Sequence, residues 1–452
     1  FIGIGGVGMV GIAEMLLNQG FAVSGSDLVE NKNTERLKYL GAKIFIGHNE
    51  KNVRDSDVIV YSTAVTESNP EMRSARSLNK TIIARAEMLS SLMRGFQSIA
   101  VAGSHGKTTT TSLIANIFIK AKLDPTYIIG GRILGQEDKS ILGSSEYLIV
   151  EADESDASFL HLSPEISVIT NVDNDHLDFY ENNIEKLNET FHQFLENLPF
   201  YGTAIICTDE ERSEKLFNDL ARPKISYGFS RSADYYLKDL KQVSNFQEFT
   251  LVRNSVGKEV RLKLKIAGRH NALNATAAYI VAKEAGITTK TIKDSLKSFG
   301  GVSRRLEFKG DLKINNKKIK LLDDYGHHPT EISATVAAIK SSHKNKKVNM
   351  IFQPHRYSRS SILFDDFMEC LEAVDKVIIL DIYSAGEQNT ERISSYDFVN
   401  SLIKRGKKAF FAKNLKEISK ILEAEVMNNE ILVTQGAGNI VDISNSLLAM
   451  YK

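Results

Sequence analysis

The stretch Ser98-Ile-Ala-Val-Ala-Gly-Ser-His-Gly-Lys-Thr-Thr-Thr-Thr-Ser112 decides the reading of this 452-residue chain. Ile99 to Ala102 form an apolar run suited to a buried strand. Gly103 and Gly106 mark a tight loop, and from Thr108 a helix continues through Leu113, Ile114, Ile117 and Phe118. Strand, glycine loop and helix in that order make a phosphate cradle. Backbone N–H groups converge on phosphate oxygens, and the helix N-terminus adds partial positive charge. Lys107 can reach the terminal phosphates, and Thr108 can ligate Mg²⁺. The longer form of this loop has a glycine five residues before Gly106, where this chain has Val101. The shortened G-x-x-G-K-T form argues against the common GTPases and motor ATPases.

The length fits about three domains. Hydrophobic residues make up 42% and charged residues 25%, a soluble globular balance. A net charge of +1 gives no general attraction to nucleic acid or to an anionic membrane, so neither is an expected partner. No apolar run approaches the ~18 residues of a membrane span. Cys207 and Cys370 share no motif spacing and read as small buried hydrophobes, which suits a reducing cytoplasm. The chain opens inside an apolar run at Phe1, so a few preceding residues are expected.

Residues 1 to 96 alternate short apolar runs (F-I-G-I, F-A-V-S-G, K-I-F-I-G, V-I-V-Y, T-I-I-A) with helical stretches, the pattern of a parallel sheet. Gly3-Ile4-Gly5-Gly6-Val7-Gly8 follows the first run and opens a helix from Met9 to Asn18. Asp27, roughly 20 residues further on, is placed for a ribose hydroxyl. That spacing requires only a diphosphate at a helix N-terminus. NAD, another nucleotide diphosphate and a structural glycine turn all stay open at this point.

From 97 to 303 the pattern restarts. E-Y-L-I-V runs into Glu151-Ala-Asp-Glu-Ser-Asp156, and I-S-V-I-T runs into Asn171-Val-Asp-Asn-Asp-His176. Ligands of open α/β sheets collect at the carboxyl ends of strands, so these two runs beside the phosphate loop suggest a metal–nucleotide site. Residues 225 to 266 read as β-rich, and Gly268-Arg269-His270-Asn271 opens an alanine-rich helix that contains Asn274. From 304 to 452 the strands I-K-L-L-D-D, V-N-M-I-F-Q, K-V-I-I-L-D and E-I-L-V-T-Q alternate with helices, one of them expected over Ser361 to Val374. Two polar loops follow strands there: Asp323-Asp-Tyr-Gly-His-His-Pro329 and Gln353-Pro-His-Arg-Tyr-Ser-Arg359. Histidines and arginines clustered after strand ends point to binding. Arg356 and Arg359, three residues apart, can share the bidentate grip of a carboxylate.

The ordered motifs G-I-G-G-V-G-M, G-S-H-G-K-T-T, E-A-D-E-S-D, N-V-D-N-D-H-L-D, H-N-A-L-N-A-T-A-A, S-R-R-L-E, D-D-Y-G-H-H-P-T-E and F-Q-P-H-R-Y-S-R resemble the Mur ligases of bacterial peptidoglycan synthesis. The likeness spans essentially the whole chain and is strongest to the branch that adds the first amino acid. It implies an α/β protein of three domains: a Rossmann-like UDP-sugar domain (1–96), a central P-loop ATPase-like domain (97–303) and a Rossmann-like amino-acid domain (304–452). It also implies ATP-dependent ligation of L-alanine to UDP-N-acetylmuramate in the cytoplasm, by a monomer or a homodimer. The NAD reading then gives way to a uridine diphosphate held by Gly5, Gly6, Val7, Gly8 and Met9, with Asp27 and Ser62 beside it.

For ATP the resemblance implies Gly103, Ser104, His105, Gly106, Lys107, Thr108 and Thr109, together with His270, Asn271, Asn274 and Arg304. Thr108, Glu151 and His176 would hold Mg²⁺, with Mn²⁺ also accepted because one ligand is an imidazole. The amino-acid site falls on Tyr325, His327, His328, His355, Arg356 and Arg359. Lys107, Glu151, His176 and His327 are the expected catalytic residues. The acceptor of the ammonium proton stays open among His327, His328 and the substrate's own phosphate. Some family members carry a carboxylated lysine beyond D-H-L-D, and Leu187 to Phe191 offers none. Two alternatives remain: a ligase that recycles UDP-N-acetylmuramate onto a ready-made peptide, and a nucleotide-binding dehydrogenase-like protein.

Overall fold

The computed structural model describes residues 1–62, 64–135, 140–175, 177, 179–181, 183–243 and 246–452. The chain divides into two compact units. One comprises residues 1–238, 251–260 and 273–296, the other 239–250, 261–272 and 297–452.

The first unit opens with β1 (Ser24–Asp27), β2 (Lys43–Ile46), β3 (Val58–Tyr61) and β4 (Thr81–Ala84). β1 pairs with β2 and β3 with β4, both in parallel. Ile2 joins the two pairs by bridging Ser26 on one side and Tyr61 on the other. The strand expected over F-I-G-I thus reduces to a bridge at Ile2, because Gly3 turns the chain with φ +79. The helix Val7–Asn18 buries Ile12, Ala13 and Met15 in a core shared with Ala100, Leu148 and Val150 further along the chain. Its Gly11 allows the close approach: a Cβ there would lie 3.1 Å from Ile128.

The same unit continues with β5 (Gln97–Ala102), β6 (Thr126–Ile128), β7 (Ser140–Ile141), β8 (Tyr147–Glu151), β9 (Ile166–Ile169), β10 (Thr203–Cys207) and β11 (Lys224–Gly228). Their order is β11-β10-β9-β5-β8-β6-β7, parallel except for the β6–β7 pair. Ile99 to Ala102, Leu148 to Val150 and Val168 to Ile169 are buried, as continuous apolar runs in a sheet covered on both faces should be. With β8 on one side of β5 and β9 on the other, the strand order reverses at β5. That places a crevice at the carboxyl end of β5, where the phosphate loop begins.

β12 (Tyr235–Val243), β13 (Phe246–Arg253) and β14 (Lys258–Leu264) make up the β-rich segment. In β14 Leu262 and Leu264 are buried while Arg261 and Lys263 face solvent, the two-residue period read from the sequence. The alanine-rich helix runs over Arg269–Glu284, so His270 and Asn271 lie in its first turn.

The second unit holds β15 (Glu307–Ile314), β16 (Lys317–Asp324), β17 (Val348–Phe352), β18 (Lys376–Ile379), β19 (Lys408–Phe411) and β20 (Ile431–Gln435). Their order is β15-β16-β20-β17-β18-β19, with β15 the antiparallel edge strand. Two apolar clusters flank this sheet, one around Ile332, Phe352, Phe367 and Phe398, the other around Leu312, Ile351, Ile378 and Leu447. The single helix expected over Ser361 to Val374 is instead two, Tyr357–Ile362 and Phe364–Glu372, broken at Leu363 with φ −103 and ψ 25. Leu363 and Phe364 both pack on the Phe367–Phe398 cluster.

Candidate active site

The phosphate loop is cross-braced by the end of β9. His105 donates its backbone N–H to Asn171 Oδ1 at 2.9 Å, and its carbonyl accepts from Thr170 Oγ1 at 2.6 Å and Asn171 Nδ2 at 2.9 Å. The His105 ring lies 3.1 Å from Asp173 Oδ2, and Ser104 Oγ accepts from the Asp173 backbone at 2.9 Å. Gly103 (φ +124) and Gly106 (φ +85) have backbone angles that favour glycine. A Cβ on Gly106 would lie 2.7 Å from Asn274 Oδ1, so the asparagine expected at the nucleotide stands against the loop. The helix then runs over Lys107–Lys120 with no side-chain cap, leaving its first N–H groups pointing into the loop.

Two acids of the E-A-D-E-S-D run face the first turn of that helix. Thr108 Oγ1 donates to Glu151 Oε1 at 2.7 Å, and Glu151 Oε2 accepts from Gly130 N at 2.8 Å. Lys107 Nζ donates to Gly103 O at 2.8 Å, Ser104 O at 3.2 Å and Glu154 Oε1 at 2.8 Å. Burial works against charge on Lys107, yet the carboxylates of Glu154, Asp153 and Glu151 outweigh it and hold its pKa above the ordinary lysine value. Burial also pushes the Glu154 carboxyl up to about 7 against the pull of Lys107. Thr109 is buried in the helix, and His176 lies outside the described residues. Glu154, Thr170, Asn171 and Asp173 had not been singled out individually. Their signal was the acid-rich strand ends, which mark the region without saying which acid turns inward.

In the first glycine loop, Gly5 donates its N–H to Asp27 Oδ2 at 2.8 Å, and Gly5 O accepts from Asn33 Nδ2 at 2.8 Å. Asp27 therefore commits one oxygen to ordering the loop. Gly6 caps the helix with no side-chain bond, Met9 is buried behind it, and Ser62 lies 3.4 Å from where a Cβ on Gly3 would sit. Arg85, absent from the sequence reading, packs 3.0 Å from where a Cβ on Gly8 would sit. Beneath Asp27 the fully buried Glu71 accepts from Ser26 Oγ at 2.5 Å, Asn52 Nδ2 at 2.6 Å and Asn49 N at 3.1 Å.

In the second unit the Tyr325 ring is covered by two guanidiniums, Arg304 at 4.9 Å and Arg305 at 5.1 Å. Arg304 also donates to Gly436 O at 2.7 Å, and Asp324 pins the turn by accepting from Leu306 N, Gly326 N, Thr335 Oγ1 and Gln435 Nε2. Tyr325, His327, His355 and Tyr383 form a chain of rings with centroids 5.5, 5.3 and 5.5 Å apart. His328, in contrast, is buried and accepts from Thr330 N at 3.4 Å, as the cap of helix Pro329–Ser342. Asn271 donates to Ala267 O at 2.6 Å and is buried. Arg356 sits at φ +67 with its guanidinium 3.9 Å from Glu387. Glu387 also accepts from Ser358 Oγ at 2.7 Å and Ser358 N at 3.1 Å. Arg359, read as a loop residue, lies in the helix Tyr357–Ile362. Tyr383 and Glu387 come from a segment without a motif of its own.

A phosphate loop at a switch point, an acid on its threonine and a second α/β sheet bearing arginine-rich loops together define a nucleotide-dependent α/β enzyme of several domains. The comparisons agree. Models described as "Mur ligase family, catalytic domain", "Mur ligase middle domain" and "Mur ligase, glutamate ligase domain" match residues 1–97, 101–282 and 304–438. The chain belongs to the Mur ligase family. It is 47% identical over 441 residues to the UDP-N-acetylmuramate–L-alanine ligase of Vesicomyosocius okutanii subsp. Calyptogena okutanii (strain HA), covering 97% of this chain and 94% of that one. The crystal structure of the UDP-N-acetylmuramate-alanine ligase of Thermotoga maritima superposes with a TM-score of 0.83 at 28% identity, over 100% of this chain and 98% of that one. A murein peptide ligase of Psychrobacter arcticus shares the fold, with a TM-score of 0.73 at 23% identity over 99% and 97% of the two chains. Among the described residues no helix is long and apolar enough to cross a membrane.

Proposed function

We propose that this chain joins L-alanine to the carboxylate of UDP-N-acetylmuramate at the expense of ATP, the first amino-acid addition to the peptidoglycan precursor. The observation that carries the proposal is the 47% identity, over nearly the full length of both chains, to a ligase of that activity. In support, the lysine and the threonine of an ATP-cleaving loop each stand within hydrogen-bond reach of a carboxylate, Lys107 of Glu154 and Thr108 of Glu151.

A carboxylate does not condense with an amine unaided at neutral pH, so it is first activated. In-line attack of the muramate carboxylate on the γ-phosphoryl group gives an acyl phosphate and ADP, and attack by the alanine amine then releases phosphate. Lys107 lies on the loop to neutralise charge on the transferring group, and the N–H groups at the start of helix Lys107–Lys120 hold the remaining phosphates. The adjacent Thr108 hydroxyl and Glu151 carboxylate are the hard oxygen donors that Mg²⁺ favours, and His176 is assigned as a further ligand. When bound, the ion supplies positive charge to the phosphoryl oxygens. Arg356 and Arg359 receive the alanine carboxylate, while His327 stands in the ring chain with Glu331 Oε2 3.7 Å from its Nδ1. Of the two neighbouring histidines, His327 is the better placed to take the ammonium proton, because His328 is turned inward as a helix cap.

The test is phosphate release from ATP and UDP-N-acetylmuramate with free L-alanine, with a tripeptide, or with neither. Dependence on L-alanine is expected. Dependence on the tripeptide would assign a recycling ligase, and turnover with neither would remove the ligase reading.

A further inference from the structure

The acid run Glu151 to Asp156 contributes more to the phosphate loop than a metal ligand. Glu154 has a side chain 1% exposed, and both its carboxylate oxygens lie 2.8 Å from Lys107 Nζ. Its backbone is fixed as well. Ala157 N donates to Glu154 O at 3.1 Å, and the buried Tyr180 hydroxyl donates to the same oxygen. The three N–H donors of the ammonium are spent on Gly103 O, Ser104 O and Glu154. A phosphoryl oxygen that is to receive a hydrogen bond from Lys107 must therefore replace one of these acceptors.

We infer that Glu154 anchors the Lys107 ammonium throughout phosphoryl transfer, so that the lysine gives up a loop carbonyl to the phosphate and keeps its carboxylate partner. This rests on the assignment of Lys107 to the ATP phosphates made above. The choice between acceptors follows from what each loses. A carbonyl released by the lysine loses one hydrogen bond to a neutral acceptor. Glu154 released would be a carboxylate buried without a counter-charge, a far larger penalty. The lysine stem is a flexible chain of rotatable bonds, so a fixed carboxylate at its tip also removes the disorder that would otherwise be lost at the moment of reaction. Glu154 is thus a positioning residue. Its distance from the reacting atoms is bridged by the ammonium.

Glu154→Gln keeps the shape and one acceptor but removes the charge, and Glu154→Asp keeps the charge on a shorter arm. Steady-state kinetics on the full chain with UDP-N-acetylmuramate and L-alanine, together with calorimetric titration of MgATP, read the result. For Glu154→Gln we expect kcat to fall at least tenfold while the KM for ATP moves less than threefold and UDP-sugar affinity stays unchanged. For Glu154→Asp we expect partial recovery of kcat. A purely structural role would lower melting temperature without this split and without rescue by aspartate. The inference is overturned if Glu154→Gln retains kcat within twofold. It is equally overturned if the variant binds ATP more tightly at unchanged kcat, because Glu154 would then compete with the phosphates instead of anchoring the lysine. Should the wild type prove active with a tripeptide and not with L-alanine, the functional reading falls, and the same comparison of variants is made with the tripeptide.

Discussion

Gly103→Ala tests whether the geometry of the phosphate loop, beyond its composition, carries the chemistry. Gly103 has φ +124, which side-chain-bearing residues rarely adopt, and imposing it costs about 1–3 kcal/mol. The space is also taken. The new Cβ would lie 2.2 Å from Thr170 Oγ1 and 2.9 and 3.0 Å from the backbone O and N of Asn171, against the 3.4 Å of an ordinary contact. Relief at Thr170 alone needs a movement of 1.2 Å, the difference between 3.4 and 2.2. Thr170 and Asn171 are the residues that hold His105. The loop therefore moves with the clash, and a misplacement of ~1 Å at a reacting centre costs about 100-fold. kcat/KM for ATP should fall about 100-fold or more, while the affinity for UDP-N-acetylmuramate, assigned to Gly5 through Gly8, stays within twofold. Thr170→Ala added to Gly103→Ala should recover part of the loss and no more, because the Asn171 backbone contacts remain. Retention of kcat/KM within threefold in Gly103→Ala would refute the argument, since a loop that tolerates a Cβ there cannot be held as described.

Three further outcomes are expected. Lys107→Met should abolish ligation, and it should also destabilise the protein by about 3 kcal/mol or more by leaving Glu154 buried and unpaired. Lys107→Met with Glu154→Leu should regain most of that stability in urea unfolding while staying inactive, and no recovery in the double variant would contradict the buried-pair account. Arg356→Lys should raise the KM for L-alanine strongly and leave the KM for ATP and the UDP-sugar nearly unchanged, since lysine keeps charge but not the two parallel bonds. An unaltered alanine KM in both Arg356→Lys and Arg359→Lys would move the carboxylate site elsewhere. Burial first, then the neighbouring Lys320 and Lys346, lower the pKa of His343 below its ordinary value. A lowered histidine pKa favours the neutral ring in the fold, so this contribution to stability is complete above about pH 6.5 and declines as pH falls below it. His343→Asn should lose less melting temperature than the wild type between pH 7 and pH 5.5, and equal losses would show that the ring does not sense the fold.

Why some of the site was legible in the sequence and some was not follows from the range of the interactions. Lys107 and Thr108 were readable because strand, loop and helix are contiguous, and local spacing fixes where the backbone amides point. Choosing Glu154 over its neighbours is a different problem. In Glu151-Ala-Asp-Glu-Ser-Asp156 every acid is compatible with a solvated turn, and the choice is made by a lysine 47 positions earlier in the chain. The same holds for Glu387, which meets Ser358 across 29 positions from a stretch with no motif. The break at Leu363 hides for a related reason. Helical periodicity is a statement about one face, and the residues Leu363 and Phe364 satisfy a core that lies outside the window in which the period is counted. His328 carries the most instruction. Two adjacent histidines in a polar loop after a strand look equivalent, yet Pro329 starts a helix whose N-terminus needs a capping acceptor, and His328 provides it while His327 joins the rings. The signal was present in H-H-P-T-E as a proline at the first helical position with a glutamate two residues on. Read as a helix start as well as a ligand set, the motif separates the histidine that caps the helix from the one that stands in the ring chain.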